Sequence, residues 1–215
     1  MNFTAKKITT IGMLCAMAMG VNLLISFPMI PSVAFLKYDP KDIIIVMGGF
    51  IFGPMTALIM STICAVLEIL FRGGTILDIL MNIISTSSFA CTAAFLYKKN
   101  HSRRGAVIGL VFGALLSTAS MLLWNYIITP IYFSMPREEV VKLLLPGILP
   151  FNLLKTGLNA SITFVFYKGV VKALRKANLV ECNDHETKLS AGLIIFAVFI
   201  CVSIVCIILA MQKII

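Results

Sequence analysis

Seven runs of almost unbroken apolar residues, most of them closed off by a short polar or basic cluster, decide what this chain can become. They lie near residues 8–26, 43–53, 54–71, 76–96, 106–130, 147–168 and 190–211. A helix needs about 20 apolar residues to cross the roughly 30 Å hydrocarbon core of a bilayer. Inside that core every backbone N–H and C=O must find its partner within the protein, which leaves helices as the form for runs of this length. Composition agrees, with 60% of residues hydrophobic and 13% charged, where a soluble domain keeps roughly a quarter charged. The expected fold class is all-α, a polytopic membrane helix bundle.

Residues 43–71 pose the one topological question. As a single helix they would be about 43 Å long, well beyond the hydrocarbon thickness, and Gly53-Pro54 falls in the middle. Charge decides the matter, because basic residues accumulate on the cytoplasmic side and splitting the run flips every later loop. With two helices, Lys6, Lys7, Lys98, Lys99, Arg103, Arg104, Lys168, Lys172, Arg175, Lys176 and Lys188 share one side, against Lys37, Lys41, Arg72, Arg137, Lys142 and Lys213 on the other. That distribution predicts two helices, a cytoplasmic N-terminus and an extracellular C-terminus in the cell membrane. Lys6, Lys7 and Ala16-Met17-Ala18 imitate a signal peptide, but the apolar run continues to Ile25 and reads as a span that stays.

Several function classes lack their residues. The net charge of +9 forms no basic stripe with interleaved aromatics, so nucleic acid is not the partner. Cys15, Cys64, Cys91, Cys201 and Cys206 lie in apolar segments, Cys182 lies in a polar linker, and no C-x-x-C occurs; they read as small apolar fillers. His101 and His185 stand in loops without partners at metal-binding spacing. There is no H-E-x-x-H, no G-x-S-x-G and no G-x-x-x-x-G-K-[ST], so neither an intramembrane hydrolase nor an ATPase is indicated, and no cofactor or metal is implied.

The polar residues inside the spans are more informative. Asn152, Lys155, Thr156, Asn159 and Thr163 recur at three- and four-residue steps, which places them on one face of the sixth span. Pro150 suits the first turn of a helix and predicts a start near 147–150. Lys155 has two readings, a snorkelling side chain that lifts its amine to the headgroups or an intramembrane functional residue. Snorkelling needs no polar stripe beneath it, and this stripe favours the second. At the same outer level lie Asn125 between Trp124 and Tyr126, Asp78 and Asn82 one turn apart, Glu68, and a first loop with Phe35, Lys37, Tyr38 and Asp39. Aromatic faces, amides and a cation near one mouth describe a pocket for a flat, polar-edged molecule. A carboxamide both donates and accepts, and so can read an imide edge, whereas lysine only donates.

The stretch "FLKYDPKDIIIVMGGFIFGP", the pair in "WNYIITPIY", and "PFNLLK" followed by "ITFVFYKGV" resemble the riboflavin-specific S-component of energy-coupling factor (ECF) transporters, from about residue 5 to 176. The resemblance implies a six-helix subunit that captures riboflavin outside the cell and docks on a transmembrane scaffold subunit with two ATPases. It implies that Asn125, Asn152 and Lys155 hydrogen-bond the isoalloxazine ring and that Lys37, Tyr38 and Asp39 close over it; Trp124 and Asn82 join the candidate contacts by their outer position, since the region around Asn82 matches the family only loosely. Gly12, Ala16 and Gly20, spaced by four, match the family's small-residue docking face; small residues at such spacing also occur in membrane helices at large. The alternatives are FMN or another flat vitamin as substrate, or a structural membrane protein whose polar stripe only joins helices.

The expected organisation is a core over residues 1–176, a cytoplasmic linker over 177–188 and an additional C-terminal transmembrane helix over 189–215. That last helix lies outside the six-helix pattern. Because every candidate contact precedes Lys176, it is expected to be dispensable for binding.

Overall fold

The computed structural model describes residues 4–176 and 191–212. Helices α1 (Ala5–Leu24), α2 (Lys41–Phe52), α3 (Pro54–Arg72), α4 (Ile76–Lys99), α5 (Arg103–Tyr132), α6 (Arg137–Leu143), α7 (Leu149–Lys176) and α8 (Ala191–Met211) follow one another along the chain. Among the described residues, β pairing is confined to one antiparallel bridge between Pro28 and Lys37. The expected all-α bundle is what forms. The linker 177–188, with Cys182, His185 and Lys188, lies outside the described residues, as does Lys213.

The helix boundaries follow from local chemistry. Gly53 ends α2 and begins α3 at φ 96°, a left-handed conformation that glycine enters without steric cost, and Pro54 occupies the first helical position. The 43–71 run is therefore two helices. A second glycine turn, Gly73-Gly74 at φ 74° and 136°, reverses the chain into α4. There Thr75 and Asp78 form a reciprocal capping box, with the Thr75 N–H donating to Asp78 Oδ2 at 2.7 Å. α7 begins at Leu149, within the expected 147–150, but it is preceded by helical structure that starts at Arg137 and passes through a wide π turn, Leu144–Ile148. Pro146 and Pro150 each remove an N–H from the ladder. The wider turn, in which the Leu149 N–H reaches Leu144 O, absorbs that loss.

By length and composition, α1, α3, α4, α5 and the stretch Arg137–Tyr167 can cross a membrane, while α2 is only 12 residues long. The helices alternate direction, so Lys98, Lys99 and Arg104 share the end where α1 begins. The other end carries the loop 25–40, the Gly73-Gly74 turn and the close of α5. α8 runs along α7 and finishes at this loop end, where Gln212 Nε2 donates to the Pro28 carbonyl at 2.6 Å. It is packed rather than loosely tethered, with Ala197 and Ile208 buried.

The tightest seam joins α4 to α5. A β-carbon at Gly109 would lie 2.7 Å from the Ala93 carbonyl oxygen, and one at Gly113 would lie 2.6 Å from that of Phe89. Two glycines one turn apart thus bring the backbones into contact, which is how membrane helices gain dispersion energy when lipid offers no hydrophobic drive between them. By contrast Gly12, Ala16 and Gly20 are exposed on α1, and open space surrounds both glycines. Replacing Gly113 by valine should force α5 off α4 at a cost of about 1–3 kcal/mol. A lower thermal unfolding midpoint of the detergent-solubilised protein checks it, with Gly12→Val unchanged as the comparison.

Candidate functional site

The loop 25–40 closes at its base through the Pro28–Lys37 bridge and through the Tyr38 N–H, which donates to Phe27 O at 2.9 Å. It then delivers Asp39 and, one residue into α2, the pair Lys41 and Asp42 to the interior. All three are buried. Three ionic partners surround them. Lys155 Nζ of α7 lies 2.7 Å from Asp39 Oδ2 and 3.6 Å from Asp42 Oδ2. Lys41 Nζ lies 3.4 Å from Asp39 and in ion-pair contact with Glu68 Oε2 of α3 at 2.8 Å. Arg72 of the same helix closes the chain at 3.1 Å from Glu68 Oε1, and also donates to the Asn22 carbonyl of α1. Three carboxylates and three cations thus meet among α2, α3, α7 and the loop.

Neutral groups complete the cluster. Tyr38 Oη donates to Asn159 Oδ1 at 2.7 Å, Asn159 Nδ2 donates to the Asp39 carbonyl at 3.2 Å, and Thr86 Oγ1 donates to Asp42 Oδ1 at 2.7 Å. Burial alone would raise the Asp39 carboxyl, but the Lys155 and Lys41 ammonium groups outweigh it and hold Asp39 below the usual carboxylate range. Burial, helped by the Asp42 and Asp39 carboxylates, pushes the Tyr38 phenol up. It keeps its proton and remains a donor.

Above this cluster opens a cavity of about 360 Å³, within the range of small-molecule sites. Lys155, Asn152 and Phe151 form its α7 wall, and Asn125, Met121 and Tyr132 its α5 wall. Asn82, Met81 and Asp78 contribute from α4, and Phe35, Leu36, Lys37 and Asp39 from the loop. A side lobe of about 260 Å³ shares Phe35, Leu36 and Asn125 and adds Trp124 and Phe133. The two asparagines are fixed the same way. Asn152 Nδ2 donates to Ile148 O and Asn125 Nδ2 to Met121 O, each at 2.8 Å and one turn back along its own helix. Each amide nitrogen carries two hydrogens, so these bonds set the amide plane and leave one N–H of each uncommitted by them. Asn125 Oδ1 also accepts from Thr129 at 2.9 Å.

This geometry can hold a planar molecule between aromatic and methionine side chains while amides and an ammonium read one polar edge. The same helices recur elsewhere. A sequence model for "ECF transporter, substrate-specific component" matches residues 6–167. The chain belongs to this family. Among relatives of this S-component, the riboflavin transporter RibU of Staphylococcus aureus is 29% identical over 178 residues, covering 80% of this chain and 93% of that protein. The riboflavin transporter FmnP of Bacillus subtilis is 30% identical over 171 residues, 75% of this chain and 88% of that one. A solved structure of the S component of a bacterial ECF transporter superposes with a TM-score of 0.68 at 28% identity, covering 79% of this chain and 98% of the other.

Seven of the eight residues singled out from sequence for the S-component pocket line one of the two lobes: Asn125, Asn152, Lys155, Lys37, Asp39, Asn82 and Trp124. Tyr38 instead turns into the layer beneath, toward Asn159. Lys155 does not snorkel; its ammonium stays buried on Asp39. Sequence reading counted Lys41 only as a loop charge and passed over Asp42. Their signal was position, two opposite charges at the head of an apolar helix immediately after a proline. Since removing one partner of a buried ionic group typically costs about 3–5 kcal/mol, Lys41→Met should sharply lower the unfolding midpoint of the purified S-component. Pairing it with Glu68→Gln should recover part of that loss in a double-mutant cycle.

Proposed function

We propose that this S-component captures riboflavin at the loop end of the bundle, outside the cell, and delivers it while docked on a transmembrane scaffold with two ATPases. The observation that carries the reading is the convergence of Asn125, Asn152 and Lys155 on one cavity in a chain whose relatives are riboflavin transporters. In this reading Asn125, Asn152 and Lys155 hydrogen-bond the carbonyl and N–H groups at the isoalloxazine edge. Phe35, Trp124 and Met81 flank the ring, and Lys37, Asp39 and Asn82 complete the polar lining. Tyr38 acts from beneath, by holding Asn159 against Asp39. Riboflavin is the transported substrate, and the ATPase partners supply the energy.

The exposed α1 stripe Gly12, Ala16 and Gly20 is the proposed docking face for the scaffold, since none of the described residues covers it and small residues admit close helix approach. The basic end of the bundle is the cytoplasmic end in this reading, which places the N-terminus inside the cell and the close of α8 outside.

Two measurements test the proposal. Losing a hydrogen-bond partner to a buried polar edge costs about 1–3 kcal/mol, or roughly 5- to 150-fold in affinity. Asn152→Ala and Lys155→Met should each weaken riboflavin binding by such a factor, read by flavin fluorescence quenching in variants whose unfolding remains cooperative. Unaltered affinity in both would move the flavin away from this wall. Ala16→Trp should leave binding to the purified protein intact while lowering flavin uptake by cells; uptake at the wild-type level would remove α1 from the docking face.

A further inference from the structure

The family match ends at residue 167, so α8 lies beyond it. α8 nevertheless reaches the working end of the molecule. Its inward residues Ala197, Cys201, Ile204 and Ile208 step along one stripe at three- and four-residue intervals, while Val198, Phe199, Val202 and Val205 face outward. The stripe lies on α7, where Gly157 lets Ile204 approach; a β-carbon at Gly157 would stand 3.2 Å from Ile204 Cδ1. α7 is thus sandwiched, with Asn152 and Lys155 toward the cavity and Gly157 toward α8.

The loop 25–40 is two-sided in the same way. Phe35, Lys37 and Asp39 face the cavity. Met29, Ile30 and Val33 do not line it; they are almost fully buried in an apolar cluster that includes Ile148, Phe151 and Leu158 as well as Ile208 of α8, and against which Ile204 and Met211 also pack. At the end of the stripe Gln212 Nε2 donates to the carbonyl of Pro28. Pro28 is one half of the bridge that closes the loop, and Lys37, which lines the cavity, is the other. The outer end of α8 therefore grips the back of the segment whose front roofs the cavity.

We propose that α8 is a strap that holds the roof loop closed and so sets how fast the ligand leaves. The proposal rests on the reading of the cavity as the ligand site. For the roof to lift, the loop's apolar side chains must leave the cluster they share with Ile208, and Gln212 must release Pro28. Both losses fall on opening, so the strap retards exit more than entry, as most changes in affinity among variants of one site act on dissociation. It revises the expectation that this helix is dispensable: binding survives without it, but residence shortens.

The test uses two proteins beside the full chain, a truncation after Lys176 and the full-length double variant Ile208→Ala with Gln212→Ala. Riboflavin dissociation is followed by stopped-flow fluorescence, and amide hydrogen exchange of the ligand-free proteins is mapped by mass spectrometry. Both should release flavin on the order of tenfold faster, with little change in association. Exchange should quicken over residues 28–37 and stay unchanged in α4 and α5. Dissociation and loop exchange equal to the full chain would overturn the strap. So would faster exchange spread uniformly through α4 and α5, which marks general destabilisation. If the truncated chain does not fold, the double variant decides. If the full chain binds no riboflavin, the ligand reading fails on its own, and exchange over 28–37 still decides whether α8 restrains the loop.

Discussion

Lys41 and Lys155, buried side by side under a cavity, are tolerable only because three carboxylates are brought to them from different parts of the chain. Taking a charge out of water costs several kcal/mol even after the protein relaxes, and the cost is recovered only when partners and hydrogen bonds are complete. Here Asp39 arrives on a loop, Asp42 on α2 and Glu68 on α3, while Arg72 balances the third carboxylate. The set is neutral. Its assembly fixes the start of α2 against α7, the end of α3 against α1, and the loop against both. A site built over such a cluster discriminates by hydrogen-bond geometry and shape rather than by net charge.

Much of this was legible in the sequence, for physical reasons that differ by feature. Helices in a membrane advertise themselves, since apolar length and charged punctuation are dictated by the bilayer; the split at Gly53-Pro54 followed from the excess length of the run and from charge. The stripe of Asn152, Lys155 and Asn159 was visible because periodicity places residues on a helix face. The ionic cluster was not, because it joins residues over a hundred positions apart. Nothing in the local pattern around Lys41 says that its partner is Glu68. Pro150 marked the start of α7 at Leu149 within the expected 147–150, while the π turn and short helix that precede it depend on packing that the proline does not announce.

The small residues teach a second distinction. Gly12, Ala16 and Gly20 attracted attention by their spacing and remain open to the surroundings, whereas Gly109 and Gly113 carry the same spacing and are consumed inside the α4–α5 seam. Spacing identifies a surface that permits close approach and does not say whether the approach is internal. Only the neighbours settle that.

The brevity of α2 has a consequence of its own. Twelve residues rise about 18 Å, while the hydrocarbon layer is roughly 30 Å thick. The head of α2, with Lys41 and Asp42, therefore stops well short of one water boundary, and the loop 25–40 fills the interval. What would otherwise be a dent in the bilayer becomes a chamber roofed by protein. Dissolved ions screen exposed charges over about 8 Å at physiological strength, but they screen buried groups such as Lys41, Asp42 and Lys155 much less. The attraction among the buried members is thereby less sensitive to the salinity of the medium than a surface ion pair would be, and exposed Arg72 is the member of the set that salt still reaches.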